Sequence, residues 1–328
     1  MMSFLIFIFL IGIDTAAGSN VMATLLGLGD TKLDVDVLTT VMAAAGIVQG
    51  SLLMFTPNLS RKMWGIEDKS VYTLAHLEYV GAAILSMGLS AFCLFVVKLE
   101  DTYKTVGWAL IVCVVANALA LLKRYPSKAG GNPTGQVLWL FLMLESVRAC
   151  FVSTAAYKHG LLLAAYSLAT LNGFVAAVKP RISANIYGCK KIQLNTDQLN
   201  TLRGFGYENL ALSVFHLSLL NGVESHKALA LNSIVITAHC THALVGKTFN
   251  SSYGTFGSLL FYFWLIFHAS CAANLLLSNE VGYFMGGLIA VVSTLKLPSL
   301  FVFEYPQIAE EELLTKRSWW WKEIKMGN

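Results

Sequence analysis

Apolar residues in this chain come in long unbroken runs. Neither the alternation of a half-buried strand nor the single stripe of a surface helix is present. Nine runs stand out: Val37–Phe55, Val71–Val97, Val106–Leu122, Val137–Ala156, Leu161–Val178, Leu199–Leu220, Ala228–Val245, Ser258–Leu277 and Val281–Val302. About twenty apolar residues at 1.5 Å rise cross the hydrocarbon core of a bilayer. Continuous runs without period two predict helices rather than strands in that setting. The third run is short and the sixth comparatively polar. The breaks carry turn chemistry, at Pro57, Tyr125-Pro126, Ala129 to Pro133, Pro180 and Asn250 to Gly254.

The runs repeat in order. Residues 57–65 read Pro-x-Leu-Ser-x-x-Met-Trp-Gly and residues 180–188 read Pro-x-Ile-Ser-x-x-Ile-Tyr-Gly. Further on, Thr73-Leu74-x-x-Leu77-x-Tyr79 is matched by Thr201-Leu202-x-x-Phe205-x-Tyr207. Lys104 and Lys227 open the third run of each copy, and Gly135 and Gly257 precede the fourth. The repeat is far longer than the ~20–50 residues of a solenoid, so it implies duplication of a whole membrane module. Four spans per copy is an even number, so both copies point the same way across the membrane. The predicted fold class is all-α: a polytopic helical membrane protein with two parallel four-helix repeats, an extra transmembrane helix and an interfacial C-terminal helix. The expected divisions are 1–36 (signal peptide or hydrophobic N-terminal segment, with linker), 37–156 (repeat one), 157–278 (repeat two) and 279–328 (ninth span and amphipathic tail).

Composition agrees with a membrane as solvent. Apolar residues make up 56% and charged residues 13%, about half the ~25% charged share usual for soluble proteins. The mean hydropathy is +0.62. Of the 23 Lys and Arg, fifteen fall on one side, in 61–69, 123–128 and 179–191, at Lys247 and in 316–325. Five fall on the other: Lys32, Lys98, Lys104, Lys158 and Lys227. The bias puts the first side in the cytoplasm, with the N-terminus outside or luminal and the C-terminus cytoplasmic. The run from Ser3 to Ile13, followed by Thr15-Ala16-Ala17-Gly18, has the length of a signal-peptide core but lacks a basic start. In the tail, Trp319-Trp320-Trp321 among Lys316, Arg317 and Lys322 suits an interfacial helix. No basic stripe with interleaved aromatics occurs, which argues against a nucleic-acid partner. The expected partners are the bilayer and other subunits of a membrane complex. The six cysteines form no Cys-x-x-Cys pair, so neither a zinc ribbon nor a thioredoxin-like site is indicated.

Each copy pairs a small-residue-rich first helix with a Pro elbow, an aromatic-Gly pair and a second helix with small residues. In copy one these are Met42-Ala43-Ala44-Ala45-Gly46, Phe55-Thr56-Pro57, Trp64-Gly65 and Gly81-Ala82-Ala83. In copy two they are Asn172-Gly173, Pro180, Tyr187-Gly188 and Asn209-Leu210-Ala211. The pattern resembles the four-helix membrane family that includes DoxX and the DUF4345-like proteins, over about two-thirds of the chain. That resemblance implies membrane-bound accessory subunits, some linked to quinone redox chemistry, and brings no catalytic motif.

Ionisable residues within spans mark functional candidates because burying them is costly. Glu145 and Arg148 stand i, i+3 in the fourth run; near mid-depth they would neutralise each other or hold a solute. His239 and His242 form His-x-x-His in the seventh run, with His268 at similar depth in the eighth. Histidines in a bundle suit haem, a metal or a quinone hydrogen bond, yet no His-Glu-x-x-His or carboxylate-rich set accompanies them, so no cofactor is favoured. Glu78 and Glu208 lie beside Tyr79 and Tyr207 in the second span of each copy. Pro57, Trp64, Gly65, Pro180, Tyr187 and Gly188 form an interfacial elbow, with the aromatics expected at headgroup depth. Phosphate-loop and nucleophile-elbow motifs are absent, which argues against an enzyme. Three functions fit: an accessory or scaffold subunit without its own catalysis, a small-solute or proton transporter using Glu145, Arg148 and the histidines, or a membrane redox protein using His239, His242 and His268.

The orientation has a direct test. Asn58-Leu59-Ser60 and Asn250-Ser251-Ser252 are glycosylation sequons on the side assigned to the cytoplasm. Both should stay unmodified in a secretory-pathway host, and a glycan on either one would invert the topology.

Overall fold

The computed structural model of the chain describes residues 35–123, 125–128, 133–187, 194–245 and 255–276. The N-terminal segment, Gly188, Cys189, the Asn250 sequon, the ninth run and the tryptophan-rich tail lie outside them. The described residues form helices and no strand. In order they are α1 Val35–Phe55, α2 Pro57–Trp64, α3 Val71–Ala91, α4 Thr102–Leu122, α5 Tyr125–Lys128, α6 Pro133–Val152, α7 Ala155–Val178, α8 Pro180–Ile186, α9 Thr196–Leu220, α10 Ser225–Val245 and α11 Thr255–Leu276. A π-helical turn, Phe92–Val96, prolongs α3.

Five helices are long and apolar enough to cross a membrane: α1, α3 with its π turn, α4, α6 and α7. α11 holds a shorter apolar stretch, Leu259–Ala273. α9 is more polar, with Gln198, Asn200, Thr201, Glu208, Ser213 and His216 all buried. It packs against α3, α7 and α10, and those neighbours keep its polar side chains from lipid.

Several helices begin before their apolar run because a polar residue caps them. Asp101 accepts from the backbone N–H groups of Tyr103 and Lys104, which starts α4 at Thr102. Asn195 and Gln198 form a reciprocal capping box that starts α9 at Thr196. The turn between the fourth and fifth runs is Ser153-Thr154, so Tyr157, Lys158 and His159 belong to the first turns of α7.

Packing follows one order in each half. α1 lies chiefly on α3, α3 on α4, and α4 on α6; α7 lies chiefly on α9, α9 on α10, and α10 on α11. α3 and α9 then pack on each other and join the halves. Glycines set the closest approaches. A Cβ on Gly50 would fall 2.3 Å from the Leu85 amide nitrogen, and one on Gly81 would fall 2.3 Å from that of Met54. On the α7–α9 side, a Cβ on Gly206 would lie 2.3 Å from the Ala177 nitrogen. Small residues at such crossings bring backbones together where lipid supplies no hydrophobic drive.

The two elbows are short helices with Pro at the first turn, α2 and α8. α2 ends at Gly65, whose left-handed φ of 74° closes the helix. Ser60 does not cap α2's amides; its hydroxyl donates to the Leu52 carbonyl and secures the end of α1.

Two polar clusters clamp α3 to the α7–α9 pair. At one end, the Asp68 amide donates to Asp197 Oδ2 at 3.0 Å, and Gln198 Nε2 donates to Ser70 Oγ at 3.0 Å. Partial burial alone would raise the Asp68 pKa, but hydrogen bonds from Ser70, Thr73 and Asn195 outweigh it and hold the carboxyl below its ordinary value. At the other end, His216 is fully buried between Ser90 Oγ, 2.8 Å from Nε2, and the Tyr166 hydroxyl, 2.6 Å from Nδ1. One neutral tautomer satisfies both contacts. Replacing Gly81 by Leu forces α1 away from α3, and overpacking of this kind costs roughly 1–3 kcal/mol or more. The thermal midpoint of the detergent-solubilised variant should fall clearly below wild type; an unchanged midpoint would show that the helices are not in contact there.

Candidate functional site

Two cavities open on either side of the α3–α9 seam. The first lies among α1, α3, α9, α10 and α11, with about 870 Å³ of space between atoms, part of it open to the outside. Its wall is mostly apolar, including Met42, Leu77, Ile84, Phe261 and Phe267. Glu208 of α9, His239 of α10 and His268 of α11 also line it.

Glu208 Oε1 stands 3.5 Å from His239 Nδ1, and both side chains are nearly buried, at 10% and 13% exposure. The His239 ring stacks on Tyr207 at a centroid distance of 4.8 Å and 10° between planes, and meets Phe261 edge-on at 5.6 Å. The aromatic contacts hold the imidazole plane beside the carboxylate. His268 lies against Trp264, with Nδ1 3.4 Å from the Ser233 hydroxyl. A carboxylate beside an imidazole in an apolar wall can share one proton, accept a hydrogen bond from a donor head group and, when protonated, return it.

The three histidines do not form one site. His242 is exposed and its Nδ1 is 2.8 Å from the Tyr207 hydroxyl, outside the cavity. Three residues advance a helix by about 300°, so His239 and His242 differ by some 60°. That is enough to send one ring inward and the other out, with Tyr207 between them.

Glu145 and Arg148 pair with each other, but not in the bundle core. Arg148 Nη2 lies 2.5 Å from Glu145 Oε1, and Nε lies 2.7 Å from Oε2. The Tyr157 hydroxyl donates to Glu145 Oε1 at 2.7 Å. Their side chains are 36% and 54% exposed on the outer surface, within the last two turns or so of α6. Neither residue lines either of these two cavities. The early turn into α7 brings Tyr157 to the pair and places it nearer the helix end than mid-depth.

The elbow aromatics each line a cavity. Trp64 lines the first cavity and packs edge-on against Phe261 at 4.9 Å. Tyr187 lines the second, accepting from Trp139 Nε1 at 3.2 Å and donating to Asn172 Oδ1 at 2.8 Å. Glu78 is buried and taken by Lys123, 2.8 Å and 2.9 Å from its two oxygens, and by the Tyr125 hydroxyl at 2.8 Å. Burial first, and the bond to Glu78 second, push the Tyr125 phenol well above its ordinary value.

Among the described residues, no three His, Cys, Asp or Glu side chains converge as metal ligands. No family model matches the chain, and neither a curated protein nor a solved structure matches it. The residue that sequence reasoning left out of the site is Glu208. Its signal, a carboxylate in a span, was visible, but its partner His239 lies on another helix.

The two acidic sites should separate on substitution. Arg148→Ala, at the outer surface, should lower the thermal midpoint in detergent less than Glu208→Ala does. Glu208→Ala strips His239 of its partner inside the cavity wall, a loss on the order of 1–3 kcal/mol. Thermal scans in which Arg148→Ala is the more damaging variant would reverse the assignment.

Proposed function

We propose that this chain is a multi-pass membrane protein built by tandem duplication of a four-helix unit. It binds a small amphiphilic molecule within the membrane and exchanges a proton with its head group. The observation that carries this proposal is the Glu208–His239 contact inside an otherwise apolar cavity. An ionisable pair at such depth is costly and marks a functional site, and unfilled space beside it gives a ligand room. The apolar wall would take the body of the ligand, Glu208 and His239 its head, and His268 would stand as a second hydrogen-bonding group. The duplication is supported by the matching order of helix packing and by the two elbow aromatics, each beside its own cavity. The fifteen-to-five Lys/Arg bias supports a cytoplasmic basic side.

A second role, as accessory subunit of a membrane complex, is favoured by a different feature. The outer face of α6 exposes Leu138, Phe141 and Leu144, and the Glu145–Arg148 pair lies on that same helix. A charged pair facing lipid is expensive, and a partner's span would cover it. The resemblance to the DoxX-like family points the same way.

The binding function is tested by extraction. Wild type and a Glu208→Leu/His239→Leu double variant are purified in equal folded amounts, extracted with organic solvent and compared by mass spectrometry. At least one amphiphile should be enriched in wild type and depleted about tenfold in the variant, the loss expected for about 1.4 kcal/mol of head-group interaction. Identical extracts would refute it.

A further inference from the structure

We infer that the chain carries a second, independent ligand site, in the other cavity, for an uncharged amphiphile with a hydroxyl head. This cavity lies among α3, α4, α6, α7 and α9, closed by the α8 elbow, with about 1410 Å³ of space between atoms, part of it open to the outside. It differs from the first in chemistry. Among the described residues, no Asp, Glu, Lys or Arg lines it. The nearby carboxylate, Glu78, is already held by Lys123 and Tyr125.

Neutral hydrogen-bonding groups gather on one wall and fix each other's orientation. Trp139 donates to the Tyr187 hydroxyl, and that hydroxyl donates to Asn172 Oδ1. The Asn172 carbonyl is thereby engaged and its Nδ2, a double donor, makes no hydrogen bond among the described residues. Gln136 donates through Nε2 to Asn117 Oδ1, which leaves Gln136 Oε1 as an acceptor. The lining residues thus offer an amide donor at Asn172 and amide acceptors at Gln136 and Asn209, all uncharged. A hydroxyl is the group that satisfies both kinds at once. Ala82, Ala83, Leu110 and Leu212 also line the cavity and give a surface for a hydrocarbon body. A carboxylate or ammonium head would enter without a counter-charge, a large desolvation loss. The occupant is therefore a lipid alcohol drawn from the membrane, and it needs neither Glu208 nor His239.

Trp139 lines the cavity, so fluorescence reports occupancy. The full-length protein in nanodiscs is titrated with a dodecanol carrying bromine on the carbon beside the one that bears the hydroxyl, which quenches tryptophan at short range. The chain has seven tryptophans, so the signal is taken as the difference between wild type and Trp139→Phe. That difference should saturate, and Asn172→Leu and Gln136→Leu should each weaken it about tenfold. Glu208→Leu/His239→Leu should leave it intact, which separates this site from the first cavity. The corresponding bromododecanoate, ionised, should give no saturable component. Should Asn172→Leu fail to fold, Gln136→Leu carries the test. A difference signal that never saturates, is matched by the carboxylate, or is unaffected in the folded variants would overturn the proposal.

Discussion

The contact between α3 and α9 is the constraint on which the rest of the structure depends. Each of these helices is the packing centre of its own half, and they also pack on one another. The contact is held at one end by hydrogen bonds among Asp68, Ser70, Asp197 and Gln198, and near the other by the Ser90–His216–Tyr166 chain. Between the clamps, Tyr79 and His76 lie against Phe205 at 5.8 and 6.1 Å. In a membrane, apolar contact alone gives little preference for one helix pairing over another, so hydrogen bonds and close backbone packing select it. Both cavities are walled by these two helices. A shift in their crossing would reshape both sites together.

The cavities occupy corresponding places on either side of this contact, yet their chemistry has parted. One presents Glu208, His239 and His268; the other presents Asn172, Gln136, Tyr187 and Trp139. Each is framed by helices of both halves, and the side chains on its walls set its chemistry. Where the first cavity has His268, the matching position of the other copy is Ser146. The aromatic at the end of each elbow belongs to both frames, as Trp64 in one and Tyr187 in the other.

Much of the helical layout was legible in the sequence, because continuous apolar runs broken by Pro and Gly have few interpretations. The elbows were legible too, down to Pro at the first turn. Helix starts were read late wherever a polar cap extends the helix beyond its apolar run, as at Asp101 and Asn195. The site was only half legible. The spacing of His239 and His242 suggests one shared face, yet only His239 lines the cavity, because nothing in one helix's sequence tells which of two directions faces a partner. Glu145 and Arg148 were readable as a pair, while their place on the outer surface depended on the short turn into α7. Glu208 was readable as a buried carboxylate; its partner His239 is 31 positions away on the next helix, a pairing that only the fold reveals.

The measurement that bears most directly on this account is a disulfide cross-link across the α3–α9 contact. With the six native cysteines replaced, Tyr79→Cys and Phe205→Cys are introduced together in the full-length protein and oxidised in the membrane. The account predicts rapid intramolecular cross-linking, seen as a mobility shift reversed by reductant and absent from either single variant. No cross-link, or one only between separate chains, would contradict it, because both cavities exist only if these helices meet within one molecule.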